Sequence, residues 1–104
     1  MVRASVFYPD QGGRKFDWDY YRERHIPAVR QRFGSALRAI TVEHGLAGFE
    51  PSSPAPYVAI CELEFDSMRE LQSAMAECAQ ALMADIANFT DARPIVQISE
   101  VVAG

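Results

Sequence analysis

PYVAICELEF, residues 56–65, is a strand that is apolar on both sides: Tyr57, Ala59, Cys61 and Leu63 share one parity, Val58 and Ile60 the other. A strand with one face in water should alternate apolar and polar residues, so this one calls for cover on both faces. Directly after it, Ser67 and Glu70 form a capping box. Leu71, Ala74, Met75, Cys78, Leu82 and Ile86 then recur at three- and four-residue spacing and predict a long helix ending near Asn88. PIVQISEVV, residues 94–102, is a further strand, with Pro94 at its start, where a missing donor is tolerated.

Upstream, RAITVEHGL, residues 38–46, alternates and is β-branched, which predicts a strand that pairs with 56–65 as a hairpin. The first strand is RASVFY, residues 3–8, closed by Pro9 and the turn-prone DQGGRK, with a turn at Gly12-Gly13. FDWDYYRERHIPAVR, residues 16–30, starts a helix: Asp17 caps it, Asp19 favours the dipole and Phe16 is placed to staple against Tyr21. That helix runs to Phe33 and stops at Gly34.

The order is βαββαβ, a ferredoxin-like α+β fold in one domain spanning 1–104: a four-stranded antiparallel sheet with both helices on one face. The other face is bare. Strand 4 repeats the pattern of strand 3, with Val96 and Ile98 opposite Ile95 and Val101, so the expected cover is the sheet of a second copy. Ser5, Thr41, Glu43, Gln97 and Ser99 interrupt the apolar pattern. They point to a partly polar cavity enclosed by the two sheets, although parity within each strand leaves open whether they share a face.

With 49% hydrophobic and 23% charged residues, the 104-residue composition is that of a globular protein. The net charge of -4 argues against nucleic acid, and Arg22, Arg24, Arg30 and Arg32 read as a solvated helix face. No apolar run is long enough to span a membrane or to resemble a secretory signal, and the expected location is cytoplasmic. Cys61 and Cys78 fall in apolar patterns outside any CxxC pair and read as buried free thiols.

Pro27 sits inside the first helix. It removes the hydrogen bond to the Glu23 carbonyl, biases residue 26 away from helical geometry and distorts the turn carrying His25. On helical spacing His25 falls on an inward stripe with Trp18, Tyr21 and Ala28 or Val29, where a histidine is also readable as a structural residue. His44 ends strand 2 as an exposed turn residue. No dinucleotide, flavin or phosphate-loop fingerprint is present, and two histidines without HxxxH spacing make no metal set, so no cofactor is expected.

FDWDYYRERHIP, PYVAICELEFDS and DIANFTDARPIVQISEV together resemble the EthD family over essentially the whole chain. The resemblance implies a dimeric α/β barrel, two ferredoxin-like subunits closing their sheets around a cavity. It also implies small proteins associated with degradation of ethers and aromatic compounds, commonly labelled reductase-like. Structural relatives include cofactor-independent monooxygenases, polyketide cyclases and muconolactone isomerases, and more distant ones bind haem, which here would fall to His25.

Carried over by position, the family motif supplies Tyr20, Tyr21, His25 and Pro27, then Asp66, and then Asp85, Asn88, Phe89, Thr90 and Asp91. An imidazole titrating near neutrality can take and return a proton beside a carbonyl or phenol. The expected catalytic pair is therefore His25 as general acid/base and Tyr21 as a hydroxyl polarising a substrate oxygen. Tyr20, Trp18, Thr41, Glu43, Phe89 and Asp91 are expected around a small hydrophobic or aromatic substrate, with Glu43 or Asp91 orienting the imidazole. The rival expectation is a non-catalytic binding or accessory dimer of an oxygenase system. GLAGFEPSSPAP, residues 45–56, reads as a lid over the pocket or an arm to the partner subunit.

Overall fold

In a computed structural model describing residues 1–10 and 15–104, four strands form one antiparallel sheet. The strands are β1 Val2–Pro9, β2 Ala39–His44, β3 Tyr57–Phe65 and β4 Ile95–Glu100, in the order β2-β3-β1-β4. The register pairs Ala4 with Leu63, Val42 with Cys61 and Val6 with Val96. Two helical stretches cover one face, which completes the ferredoxin-like α+β fold expected from the βαββαβ order. The Gly12-Gly13 turn lies outside the described residues.

The first helical stretch changes pitch twice. Asp17 caps α1, Trp18–Tyr20, by accepting from the Tyr20 N–H at 3.1 Å, and the Phe16 ring packs 5.1 Å from Tyr21 as the staple requires. A π-helical turn follows over Tyr21–His25, and α2 then runs over Ile26–Phe33. The Ile26 N–H reaches back five residues to the Tyr21 carbonyl, so one extra residue is wound into the turn before Pro27. Pro27 thereby stands in the first turn of a new α-helix, where its missing N–H costs nothing. The expected distortion around His25 is present, but Ile26 stays helical at φ -63 and ψ -43. The widened turn makes room for the proline ring, so the residue before it need not swing out.

The second helix is α3, Met68–Asp85, extended by a tighter turn over Ile86–Asn88. Ser67 accepts from the Glu70 N–H at 3.2 Å. Val29, Phe33, Leu71, Cys78 and Leu82 pack onto Ala4, Cys61, Leu63 and Phe65 of the sheet. Phe33 meets Phe65 edge-on at 5.5 Å. Each large side chain buried in this layer contributes roughly 1.5–3 kcal/mol of transfer free energy. Both cysteines are free and buried, and the Cys78 thiol donates to the Arg32 carbonyl at 3.2 Å.

The opposite face departs from the apolar surface expected from parity. Cross-strand partners share a face, and the register aligns Ser5 with Glu62 and Gln97, Arg3 with Glu64 and Ser99, and Thr41 with Glu62. All five interrupting polar residues therefore lie together, joined by Arg3, Glu62 and Glu64. Arg3 approaches Glu64 at 3.6 Å and Glu62 at 3.9 Å. Phe7, Ile60 and Ile95 are aligned across the same face as an apolar band, flanked by Val58. The face is mixed because the strand residues of the other parity, taken up by the helix layer, account for most of the apolar content.

Candidate active site between the helices and the sheet

The cavity that His25 lines lies on the helix side of the sheet, whereas Thr41 and Glu43 lie on the bare face. β4 turns Val96 and Ile98 toward the helices, yet they remain 46% and 43% exposed, because the helical layer stops short of this edge strand. The gap opens inward as a cavity of about 200 Å³. Val6, Tyr8, Cys61, Leu63 and Val96 line it from the sheet. Tyr21, His25, Val29 and Phe33 line it from the first helical stretch, and Met75, Ala79, Leu82, Met83 and Ile86 from the second. Half-exposed Met83 and Val96 form its rim.

His25 is 5% exposed, and its Nδ1 lies 2.8 Å from Oδ2 of Asp85 at the end of α3. The π-helical turn sets this aim. The other oxygen of Asp85 accepts the Tyr20 hydroxyl at 2.6 Å and the Asn88 side-chain amide at 2.9 Å. Asn88 also donates to the Tyr20 oxygen at 3.3 Å. Burial pushes the Asp85 carboxyl up, but the hydrogen bonds from Tyr20, Asn88 and His25 together outweigh it and hold its pKa below the usual carboxylate value. An ionised Asp85 can only accept, so the Nδ1 that faces it carries a proton and Nε2 is the ring nitrogen not engaged by Asp85.

Tyr21 is fully buried, and its hydroxyl has no hydrogen-bond partner among the described residues. Burial, with Cys61 and Tyr8 close by, drives its pKa far above the tyrosine norm and keeps it a neutral donor, though neither neighbour meets hydrogen-bond geometry. Its ring stacks 5.5 Å from His25 at an interplanar angle of 19°. Burial likewise pushes the Cys61 thiol up to about 11, more than the nearby Tyr21 hydroxyl lowers it, so no thiolate nucleophile forms near neutrality.

The other expected site residues divide clearly. Phe89 is fully buried with its ring 4.7 Å from His25 and 5.0 Å from Tyr21, forming the wall behind them. Tyr20 spends its hydroxyl on Asp85. Trp18 packs on Phe16 at 4.6 Å and on exposed His44 at 4.3 Å, outside the cavity lining. Thr41 and Glu43 are turned by β2 to the opposite sheet face and do not meet His25. The carboxylate on the imidazole is Asp85 rather than Glu43 or Asp91, and Asp91 is exposed outside the cavity lining. Thr90 is buried and donates to the Lys15 carbonyl at 2.6 Å, while the Asp17 N–H donates to the Phe89 carbonyl at 2.8 Å. These bonds dock the segment after α3 against the start of the first helix. That docking brings Asp85 to His25 from 60 positions away. Its readable signal was the aspartate three residues before Asn88 in DIANFTD.

The loop at 45–56 contributes nothing to the lining of this cavity. Gly45 passes so close to the Tyr57 carbonyl that no Cβ would fit, and its N–H extends the β2–β3 ladder to Val58 at 2.9 Å. The loop leaves Leu46 90% and Phe49 100% exposed. Among the described residues no group of three or more His, Cys, Asp or Glu side chains could hold a metal ion. The cavity is also far too small for a haem macrocycle on His25. No described helix is long and apolar enough to cross a membrane.

Comparison with known proteins agrees with this architecture. An EthD-like protein from Ralstonia eutropha JMP134 is 43% identical, aligned over 98% of this chain and 92% of its own, with a TM-score of 0.91. An ethyl tert-butyl ether D (EthD) family protein from Bacillus halodurans C-125 is 23% identical over 98% and 99% of the two chains, with a TM-score of 0.76. A dimeric ferredoxin-like protein of unknown function from Thermobifida fusca YX shares the fold at 13% identity, 96% and 90% coverage and a TM-score of 0.61. No curated protein sequence matches the chain. The EthD domain model matches residues 13–93, a span that holds His25, Asp85 and the docking segment between the two helices, and the chain belongs to the EthD family.

Proposed function

We propose that the protein is an enzyme acting on a small hydrophobic or aromatic metabolite in the cavity, with His25 as general acid/base. The supporting observation is the His25–Asp85 pair at 2.8 Å opening onto an apolar cavity that also holds an unpartnered tyrosine hydroxyl. Asp85 fixes the imidazole with Nε2 as base. Nε2 removes a proton from carbon next to a carbonyl or from a phenol, and Tyr21 donates to the oxygen on which negative charge develops. Isomerisation, cyclisation and cofactor-free oxygenation all begin with this step, as does an oxidoreductase-type reaction on an enolisable compound. A cytoplasmic role in catabolism fits this chemistry.

The test uses a probe rather than the natural substrate. Acetophenone in D2O should exchange its methyl protons faster with the protein than without it, and His25→Ala should abolish the acceleration. Equal exchange by wild type and His25→Ala would end the catalytic reading.

The working unit is proposed to be a homodimer of the single domain, joined through the bare sheet faces along the Phe7, Ile60 and Ile95 band. Fully exposed Phe49 and largely exposed Leu46 support an arm reaching the partner subunit. The same exposed residues favour the second reading, a binding or accessory dimer of an oxygenase system. Binding of acetophenone without exchange would select it.

A further inference from the structure

The dimensions and chemistry of the cavity restrict what can occupy it, and this inference rests on the reading of that cavity as the substrate site. A cavity of about 150 Å³ is filled by benzene, so one of about 200 Å³ takes about eight to ten non-hydrogen atoms, a ring with a short substituent. Its walls carry no arginine or lysine. Arg24 and Arg32 line a separate surface groove together with Asp85 and are absent from the cavity lining. The charge nearest the imidazole is the Asp85 carboxylate, so a ligand carboxylate would be desolvated among aliphatic side chains with a negative group behind His25.

Among the described residues, Arg3 Nε and the Tyr21 hydroxyl are buried without a hydrogen-bond partner, and of the two Tyr21 lines the cavity. The Tyr21 hydroxyl is buried on a residue that lines the cavity, and a buried donor left unmade is disfavoured unless a bound group completes it. Met75 and Met83 on α3 supply flexible walls that adjust to ring shape. The rim residues Met83 and Val96 are apolar and offer no charged gate.

We infer that the cavity selects a neutral one-ring molecule carrying a single hydrogen-bond-accepting oxygen, which enters over Val96 at the β4 edge and seats its oxygen at the Tyr21 hydroxyl. Charged acids and fused multi-ring compounds are excluded, the first by desolvation and the second by volume.

Calorimetric titration of the full chain with four probes tests this. Acetophenone should bind, ethylbenzene about tenfold more weakly for want of the oxygen, and benzoate at pH 7 and anthrone not measurably. In Tyr21→Phe, which keeps the ring volume and so the fold, acetophenone and ethylbenzene should bind equally. Val96→Trp should weaken every probe by narrowing the entrance. Equal wild-type affinity for acetophenone and ethylbenzene, binding of benzoate or anthrone as tight as that of acetophenone, or no binding at all would each overturn the inference. The proton-transfer reading fails separately: a normal binding pattern with His25-independent exchange removes the chemistry and leaves the selectivity standing.

Discussion

Nδ1 of His25 and Oδ2 of Asp85 stand 2.8 Å apart although 60 positions separate them in the chain. The imidazole leaves a π-helical turn and the carboxylate leaves the last residue of α3. Neither element alone determines how the ring points. Asp85→Asn keeps the size of the side chain but allows the amide to donate, which releases the Nδ1 tautomer. The expected result is a fall in probe exchange of about 10²-fold with ligand affinity nearly unchanged, read as a change in kcat rather than KM.

The pH dependence of stability follows from the same carboxylate. Its folded-state pKa is depressed below the ordinary value of about 4, so its contribution is present above that value and disappears as pH falls through the folded one. Acid titration of the wild type should show an added loss of stability below about pH 4 that Asp85→Asn lacks. Urea midpoints measured between pH 5 and pH 2 check the difference. The group is partly solvent-exposed, so the effect is a modest one.

Tyr21→Phe should raise stability by about 1 kcal/mol, because it removes a buried hydroxyl that makes no hydrogen bond. Urea denaturation gives the value, and a loss of stability would mean that the hydroxyl is partnered in solution. The same variant is expected to lose the preference for oxygen-bearing ligands. Stability and selectivity therefore oppose each other at one atom.

Tyr20→Phe tests the outer support of the pair. It removes the 2.6 Å donor to Asp85, whose pKa should rise toward the ordinary carboxylate value. Nuclear magnetic resonance titration of the Asp85 carboxyl would register the rise. Asn88 still donates at 2.9 Å, so the pair should survive and exchange should fall less than in Asp85→Asn.

Ile60→Asp places a third carboxylate beside Glu43, its cross-strand partner, and Glu62 on the bare face. If two copies join there, sedimentation should show wild-type dimers and a variant shifted to monomers at micromolar concentration. A monomeric wild type would refute that assembly.

Most of the element order is legible in the sequence. Asp17 and Ser67 mark helix starts, Gly34 marks an end, and the apolar residues on both parities of β3 announce a central strand. Tyr21 and His25 were also readable, since both fall on the inward stripe of the first helix. The location of the cavity was not. Strand parity places Thr41 and Glu43 together but does not say which parity the helices will cover, nor that the helix layer leaves a gap under β4. Asp85 was visible only as one motif residue, because its role depends on Thr90 and Phe89 docking α3 beside the first helix.

What the amino-acid sequence determined by itself is therefore the set of local choices: caps, periods, the proline that spoils a regular turn and the buried stripe bearing a histidine. These follow from interactions between residues a few positions apart. The tertiary structure alone decided the partner of that histidine, the unsatisfied state of Tyr21 and the position of the cavity. Each of these depends on how far a helix layer reaches across a sheet and on which distant side chains are thereby closed off from water.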